Sequence, residues 1–301
     1  MPELQNAAHA LADRLPDLLI DARRISQTVA HGIHGRRRSG PGETFWQFRP
    51  YESSDSAQLI DWRRSASSDH VYVREREWEA AHTVWVWSDL SASMDFKSHL
   101  SGVTKRDRAI VVMLAAAELL MRGGERIGFM ALSQPSGSRK IATILAEAII
   151  ANAASPLMSK SRPPQQEIAR HSEVLLFGDF LAPIPALRER IETLAGLGAR
   201  GHMVQILDPA EETLPYDGRA EFTSPSGRDR FLADRAESLR EEYQSRLAAH
   251  RAQLEEFTQR LGWSFMVHHT DRPATEPLLT LVMRLAGEMG GSYRTQTEGT
   301  P

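Results

Sequence analysis

From about residue 81 onward the chain alternates short apolar runs with longer helix-patterned stretches, and this beat constrains the fold more than any other feature. HTVWVWSD is followed by RDRAIVVMLAAAELLMR, which stops at Gly123-Gly124; RIGFMALS is followed by IATILAEAIIANAA. SEVLLFGDF then precedes PALRERIETLAGLG, and GHMVQILDP stops on a proline. Parallel strands need a crossover between them, usually a helix, so this order predicts a doubly wound, mostly parallel α/β sheet with helices on both faces. Near-continuous apolar runs such as VWVW and VLLF suit strands buried on both sides. After Pro209 the stretch EETLPYDGRAEFTSPSGRDR breaks the rhythm, and Leu239, Tyr243, Leu247, Leu254, Phe257 and Leu261 mark a long amphipathic helix. That helix reads as an insertion over residues 209–262. WSFMVHH and EPLLTLVMRLAGEM return to the sheet and close a domain spanning residues 80–301.

Residues 1–79 have a different texture. Leu4, Ala8, Leu11, Leu15, Leu18, Ala22, Ile25 and Val29 recur at spacings of four and three, placing them on one helical face that packs against its own domain. Pro16 falls inside the pattern, where a proline kinks a helix or starts a second one. GIHGRRRSGPG follows as a glycine-rich loop carrying Arg36, Arg37 and Arg38. TFWQFRPY, AQLIDW and HVYVREREW are aromatic or β-branched pieces separated by polar turns, which predicts a small antiparallel β-rich attachment.

The chain of 301 residues contains no cysteine, so disulfides, thiolate metal sites and thiol nucleophiles are excluded, and any metal must take oxygen or imidazole ligands. A formal charge of -3 with interspersed signs gives no global field toward nucleic acid or anionic membranes. The N-terminus has no leader pattern and no segment is apolar enough to span a bilayer, so a cytoplasmic protein is expected.

In an open parallel sheet, ligands commonly bind at the carboxyl ends of the strands. Asp89 ends the first apolar strand and is followed by Ser91 and Ser93; Asp179 ends the strand EVLLFGD. The two carboxylates meet there if their strands are neighbours. One or two carboxylates with two hydroxyls suit magnesium, and manganese or calcium also fits. The bland alternative is that the serines satisfy a tight turn and Asp179 caps a helix.

HTVWVWSDLSASMDF resembles the opening strand and loop of von Willebrand factor A-like domains, whose metal-ion-dependent adhesion site uses DxSxS, a later threonine and a later aspartate. The set HGRRRSGPGETFWQFRPY, LIDWRRSAS, VYVREREWE and DLSASM resembles the bacterial family called domain of unknown function 58. The resemblance implies that Asp89, Ser91, Ser93 and Asp179 are metal ligands. The loop ASPLMSKSRPPQQ supplies Ser155, Ser159 and Ser161 but no matching threonine. Members of that family are often encoded beside MoxR-type AAA+ ATPases, which implies a non-catalytic adaptor or co-chaperone.

Other constellations are weaker. The arginines Arg36, Arg37, Arg38, Arg63, Arg64, Arg74 and Arg76 suit phosphate or nucleic acid, but Asp55, Asp61, Glu75, Glu77 and Glu79 are interleaved with them. His268 and His269 precede Asp271, yet adjacent strand residues point to opposite faces and do not share an ion. No GxxxxGK[ST], dinucleotide GxGxxG or HExxH is present. The expectation is therefore an interaction module, with a metal-dependent hydrolase built on Asp89 and Asp179, or a phosphate or nucleic-acid binder through Arg36 to Arg38, as the alternatives.

Overall fold

The structure is a computed structural model and describes residues 2–34, 45–51, 60–66, 68, 70–76, 82–153, 155–156, 160–225, 227 and 229–292. Two compact units emerge, Ile33–Ala81 and the remainder of the chain.

In the smaller unit, β1 (Phe45–Pro50) and β2 (Tyr72–Arg76) pair antiparallel, with Arg49 opposite Val73. Of AQLIDW, expected as a strand between them, residues 57–59 lie outside the described residues. Ile60 makes only an isolated bridge to Val73, and the chain then turns into the short helix α2 (Trp62–Ser65). The Asp61 carboxylate accepts the Arg64 amide at 2.9 Å, and such a cap competes with the sheet ladder for the same backbone.

The N-terminal helix belongs with the sheet, which corrects its expected grouping with the β-rich piece. In α1 (Pro2–His34), Leu11, Leu15, Ala22 and Val29 are buried on the predicted face. Arg14 pairs with Asp107 at 2.7 Å, Arg23 donates to Thr143 at 3.1 Å, and Ser26 bonds Glu118 at 3.2 Å, all three partners lying on helices of the sheet unit. The helix continues through Pro16, which is exposed, so the carbonyl freed one turn earlier lies on the solvent side.

The main sheet has six strands in the order β10-β7-β6-β3-β4-β5. These are β3 (Thr83–Ser88), β4 (Arg126–Phe129), β5 (Ser133–Ser136), β6 (Glu173–Gly178), β7 (Arg200–Leu207) and β10 (Ser264–His269). All neighbours are parallel except β4 and β5. The chain leaves β3 toward β4 on one side and returns to β6 on the other, so strand order reverses between β3 and β6. A crevice opens at such a switch point.

Three helices, α3 (Lys105–Arg122), α4 (Ile141–Asn152) and α8 (Thr275–Ser292), are in mutual contact through α3, and α5 (Ile184–Gly196) packs with α7 (Arg240–Arg260). Helix α3 is buried almost all round, which explains its unbroken run AIVVMLAAA. It starts at Thr104, whose hydroxyl accepts the Asp107 amide at 3.0 Å.

Helix α7 was expected as part of an insertion spanning 209–262, and the structure corrects this. It buries Leu247, Leu254 and Phe257 and joins β7 to β10, which pair in parallel and therefore require a crossover. The excursion is confined to α6 (Pro209–Thr213), the hairpin of β8 (Ala220–Thr223) and β9 (Arg230–Ala233), and a helical turn at 236–239. Among the described residues no helix is long and apolar enough to cross a membrane.

The β7–β10 edge is set by one close approach. A Cβ on Gly201 would lie 2.0 Å from the Trp263 ring, whose indole N–H donates to Ala199 O at 3.2 Å. Both groups are buried and cannot part cheaply, so Gly201→Ala is expected to destabilise the protein by about 3 kcal/mol or prevent folding. Urea unfolding monitored by tryptophan fluorescence reads this directly; an unchanged midpoint would contradict the packing.

A candidate carboxylate and lysine site at the sheet switch point

Parallel pairing of β3 with β6 brings the two aspartates to the same edge. Ser88 lies opposite Phe177, and the Asp89 amide donates to Phe177 O at 2.7 Å. Gly178 makes the approach possible, since a Cβ there would stand 3.0 Å from the Cβ of Asp89. The turn after β6 puts Phe180 at φ 50°, a left-handed conformation that costs energy for a bulky residue. Gln205 donates to Asp179 O at 2.8 Å, and His250 bonds Phe180 O at 2.7 Å. The strained turn is thus fastened from β7 and α7.

Asp89 is buried, and its Oδ1 accepts the Ser91 amide at 2.8 Å while Oδ2 is buried with no hydrogen-bond partner. The Ser91 and Ser93 hydroxyls lie 3.1 Å apart. Arg106, not singled out from sequence, braces this loop: its guanidinium donates to Leu90 O at 2.8 Å and Ser91 O at 3.0 Å and pairs with Asp95 at 2.7 Å.

Asp179 is also buried, but it is not free. Lys105 Nζ lies 2.9 Å from Asp179 Oδ2 and 2.5 Å from Glu211 Oε1, with the lysine side chain only 1% exposed. Asp179 Oδ1 accepts the Leu181 amide at 3.2 Å. Burial works against the charge on Lys105, but the carboxylates of Asp179 and Glu211 more than offset it and raise its pKa. Glu211 arrives from α6, where its Oε2 accepts the Asp208 amide at 2.9 Å in a capping box. Asp208 in turn accepts from Ser98 Oγ at 2.5 Å, tying α6 to the stretch after the DxSxS loop.

A divalent ion asks for several hard oxygens with compensating negative charge. The orphaned Asp89 oxygen and the Ser91 and Ser93 hydroxyls are suitable donors. Asp179 is not, because both its oxygens are engaged and an ammonium already lies on one of them. The four-residue set therefore does not fit a divalent ion in this arrangement. Among the described residues no cluster of three or more His, Asp or Glu side chains forms an alternative metal site.

The remaining candidates separate as follows. Arg36, Arg37 and Arg38 lie outside the described residues, as does Ser159. His268 is buried, with its pKa pushed down to about 3 by burial and the nearby Arg108 charge, whereas His269 hydrogen-bonds Glu212. Glu212 also takes Arg251 in a bidentate pair at 2.8 and 2.9 Å. The two histidines thus serve different surroundings, in keeping with their alternation along β10.

Beside Asp89 a cleft of about 310 Å³ opens over the ends of β3 and β4. Trp87, Phe129 and Pro163 line it, together with Lys160, Arg162 and Arg190. Ala131, at φ 61°, turns the chain at its floor, and its amide donates to Gln166 at 3.0 Å. Sequence patterning missed the cleft because its cations come from a loop and from α5, far apart in the chain.

These features define an α/β protein with a mostly parallel central sheet flanked by helices and a carboxylate–lysine cluster at the switch point. Residues 47–253 match the family described as protein of unknown function DUF58, and the chain belongs to that family. The uncharacterized protein Rv1480 of Mycobacterium tuberculosis is 28% identical over 93% of this chain and 92% of its own length. The uncharacterized protein Mb1516 of Mycobacterium bovis gives the same values. Among solved structures, the conserved hypothetical protein BatB from Bacteroides thetaiotaomicron is 13% identical, covering 69% of this chain and all of its own, with a TM-score of 0.39. An aerotolerance-related membrane protein from Bacteroides fragilis is 13% identical over 66% of this chain and 96% of its own, with a TM-score of 0.33.

The unpaired oxygen of Asp89 has a measurable cost. Burial, reinforced by the Asp179 charge, raises its pKa from 3.8 to about 6. The folded state therefore binds the proton more tightly than the unfolded chain. The associated stability is fully present below pH 3.8, falls as pH rises, and is lost above about pH 6. A shift of that size corresponds to about 3 kcal/mol. Asp89→Asn removes the charge at constant shape, so at about pH 8 it is expected to be more stable than wild type by up to about 3 kcal/mol, the difference closing in acid. Urea unfolding across pH tests this; equal stability in alkali would show that Asp89 is compensated.

Proposed function

We propose that this chain is a non-catalytic protein-interaction module, an adaptor or co-chaperone that works in the cytoplasm with a MoxR-type AAA+ ATPase. The observation that carries the reading is the cleft beside Asp89. Lys160, Arg162 and Arg190 line it with no acidic side chain among the lining residues. Among the described residues, Lys160, Arg162 and Arg190 form no ion pair, and Arg190 donates only to the neutral Gln165 amide oxygen, at 3.4 Å. Guanidinium groups beside apolar walls suit a carboxylate side chain seated on a partner's surface.

The resemblance to von Willebrand factor A-like domains gives this role to a divalent ion, magnesium first, shared between the partner's carboxylate and Asp89, Ser91, Ser93 and Asp179. In this reading the cations of the cleft receive the carboxylate instead. A hydrolase would need a nucleophile or a base facing the cleft; its lining offers one serine, Ser88, whose hydroxyl is turned 3.5 Å from Asp89 O, and no histidine or carboxylate. Membership of DUF58 supports the adaptor reading only through the family's frequent neighbourhood with such ATPases.

The test is calorimetric binding of the full chain to the MoxR-type ATPase from the same genome. Wild type is expected to bind equally with magnesium and with chelator. The double variant Arg162→Glu, Arg190→Glu should bind at least about tenfold more weakly without loss of thermal stability, because reversing paired interface charges costs a few kcal/mol. Unchanged affinity in the double variant would remove the cleft as the seat, and absence of binding by wild type would remove the ATPase as partner.

A further inference from the structure

Asp89, Ser91 and Ser93 stand ready to hold a cation, while the carboxylate that should complete the set, Asp179, is held by a lysine. We propose that Lys105 is the resident cation of this site: its ammonium compensates Asp179 in the place of a divalent ion, and the folded wild-type chain binds no divalent metal there.

Three observations support this. First, the ammonium is built in. Lys105 opens α3, its amide bonds Phe96 O at 3.3 Å, and its Nζ lies 6.0 Å from the centre of the Phe96 ring, so a buried stem leads to a buried charge. Withdrawing it would leave buried Asp179 and half-buried Glu211 without their counter-charge, which is more costly than leaving the cluster intact. Second, the partner carboxylates are supplied from two directions. Asp179 comes from the switch-point turn and Glu211 from α6, where the capping box fixes it. Glu211 has no place in the four-residue ligand set, but it is what a buried ammonium needs for a second charged hydrogen bond. Third, a divalent ion entering beside Asp89 would share Asp179 with the ammonium, and two cations on one carboxylate repel strongly in a buried setting. What is left, one carboxylate and two neutral hydroxyls, has hard oxygen donors but only a single negative charge to offset a divalent ion placed near the Lys105 ammonium.

This inference holds whether or not the partner is an ATPase, because it concerns the free chain. Manganese is the probe, followed by the loss of the free-ion signal in electron paramagnetic resonance and by thermal unfolding with and without the ion. Wild type and Lys105→Arg are expected to leave millimolar manganese free and to unfold at the same temperature in either condition. Lys105→Met removes one positive charge and opens Asp179, so it should retain manganese at least about tenfold more tightly than wild type and unfold at a higher temperature when the ion is present. Adding Asp89→Asn to Lys105→Met should abolish that gain. A merely structural lysine would give a destabilised variant that manganese does not rescue.

Retention of manganese by wild type as tight as by Lys105→Met overturns the proposal. So does failure of both to retain it, since the lysine would then not be what closes the site. Should Lys105→Met not fold, Lys105→Gln takes its place. If neither neutral variant folds, the wild-type measurement decides: binding there overturns the proposal, and free manganese sustains it.

Discussion

Parallel pairing of β3 with β6 is the constraint on which the rest of the larger unit depends. It is the point where strand order reverses, and it leaves two strand ends side by side at one edge of the sheet. The approach is tight enough that Gly178 is needed opposite the Cβ of Asp89. Two carboxylates delivered to one buried edge repel each other and lose hydration, so the fold must provide a cation, a proton or hydrogen-bond donors. This chain uses all three in part: Lys105 on Asp179, a raised pKa on Asp89, and amide donors from Ser91 and Leu181.

The lysine couples elements that are remote in sequence. Lys105 begins α3, Asp179 follows β6, and Glu211 lies in α6, beyond β7. The neighbouring Glu212 carries the connection outward to Arg251 of α7 and His269 of β10. Single surface ion pairs contribute little, but a buried pair broken on one side leaves an uncompensated charge that costs several kcal/mol. The cluster therefore fixes the position of α6 against the sheet edge as much as it neutralises Asp179.

Much of this architecture was legible in the residues, for identifiable reasons. Apolar strands such as VWVW and VLLF and the helices between them follow from periodicity and burial, which are local signals. The convergence of Asp89 and Asp179 required only that their strands be neighbours. Helix α7 was harder. Its period was visible, but whether it braced the sheet from outside or crossed over between β7 and β10 depended on the position of β10 in the sheet. The end of AQLIDW leaves the strand pattern because Asp61 caps the helical turn that begins at Trp62, with a bond that apolar patterning does not register. Lys105 and Arg106, in the run KRDR, read as an ordinary charged helix start; only tertiary partners reveal that both are buried.

Strand β5 has a bearing on how the sheet ends. It is four residues long, SQPS, paired irregularly with β4, and Pro135 within it has no amide to donate to a further strand. A long, flat, apolar strand in that position would be a template for adding another chain's strand. Here the outermost position is short, polar and interrupted by a proline, which edge strands tolerate and interior ones do not. Edge-to-edge growth of the sheet into fibres is blocked at this border, on the side where β4 approaches the cleft.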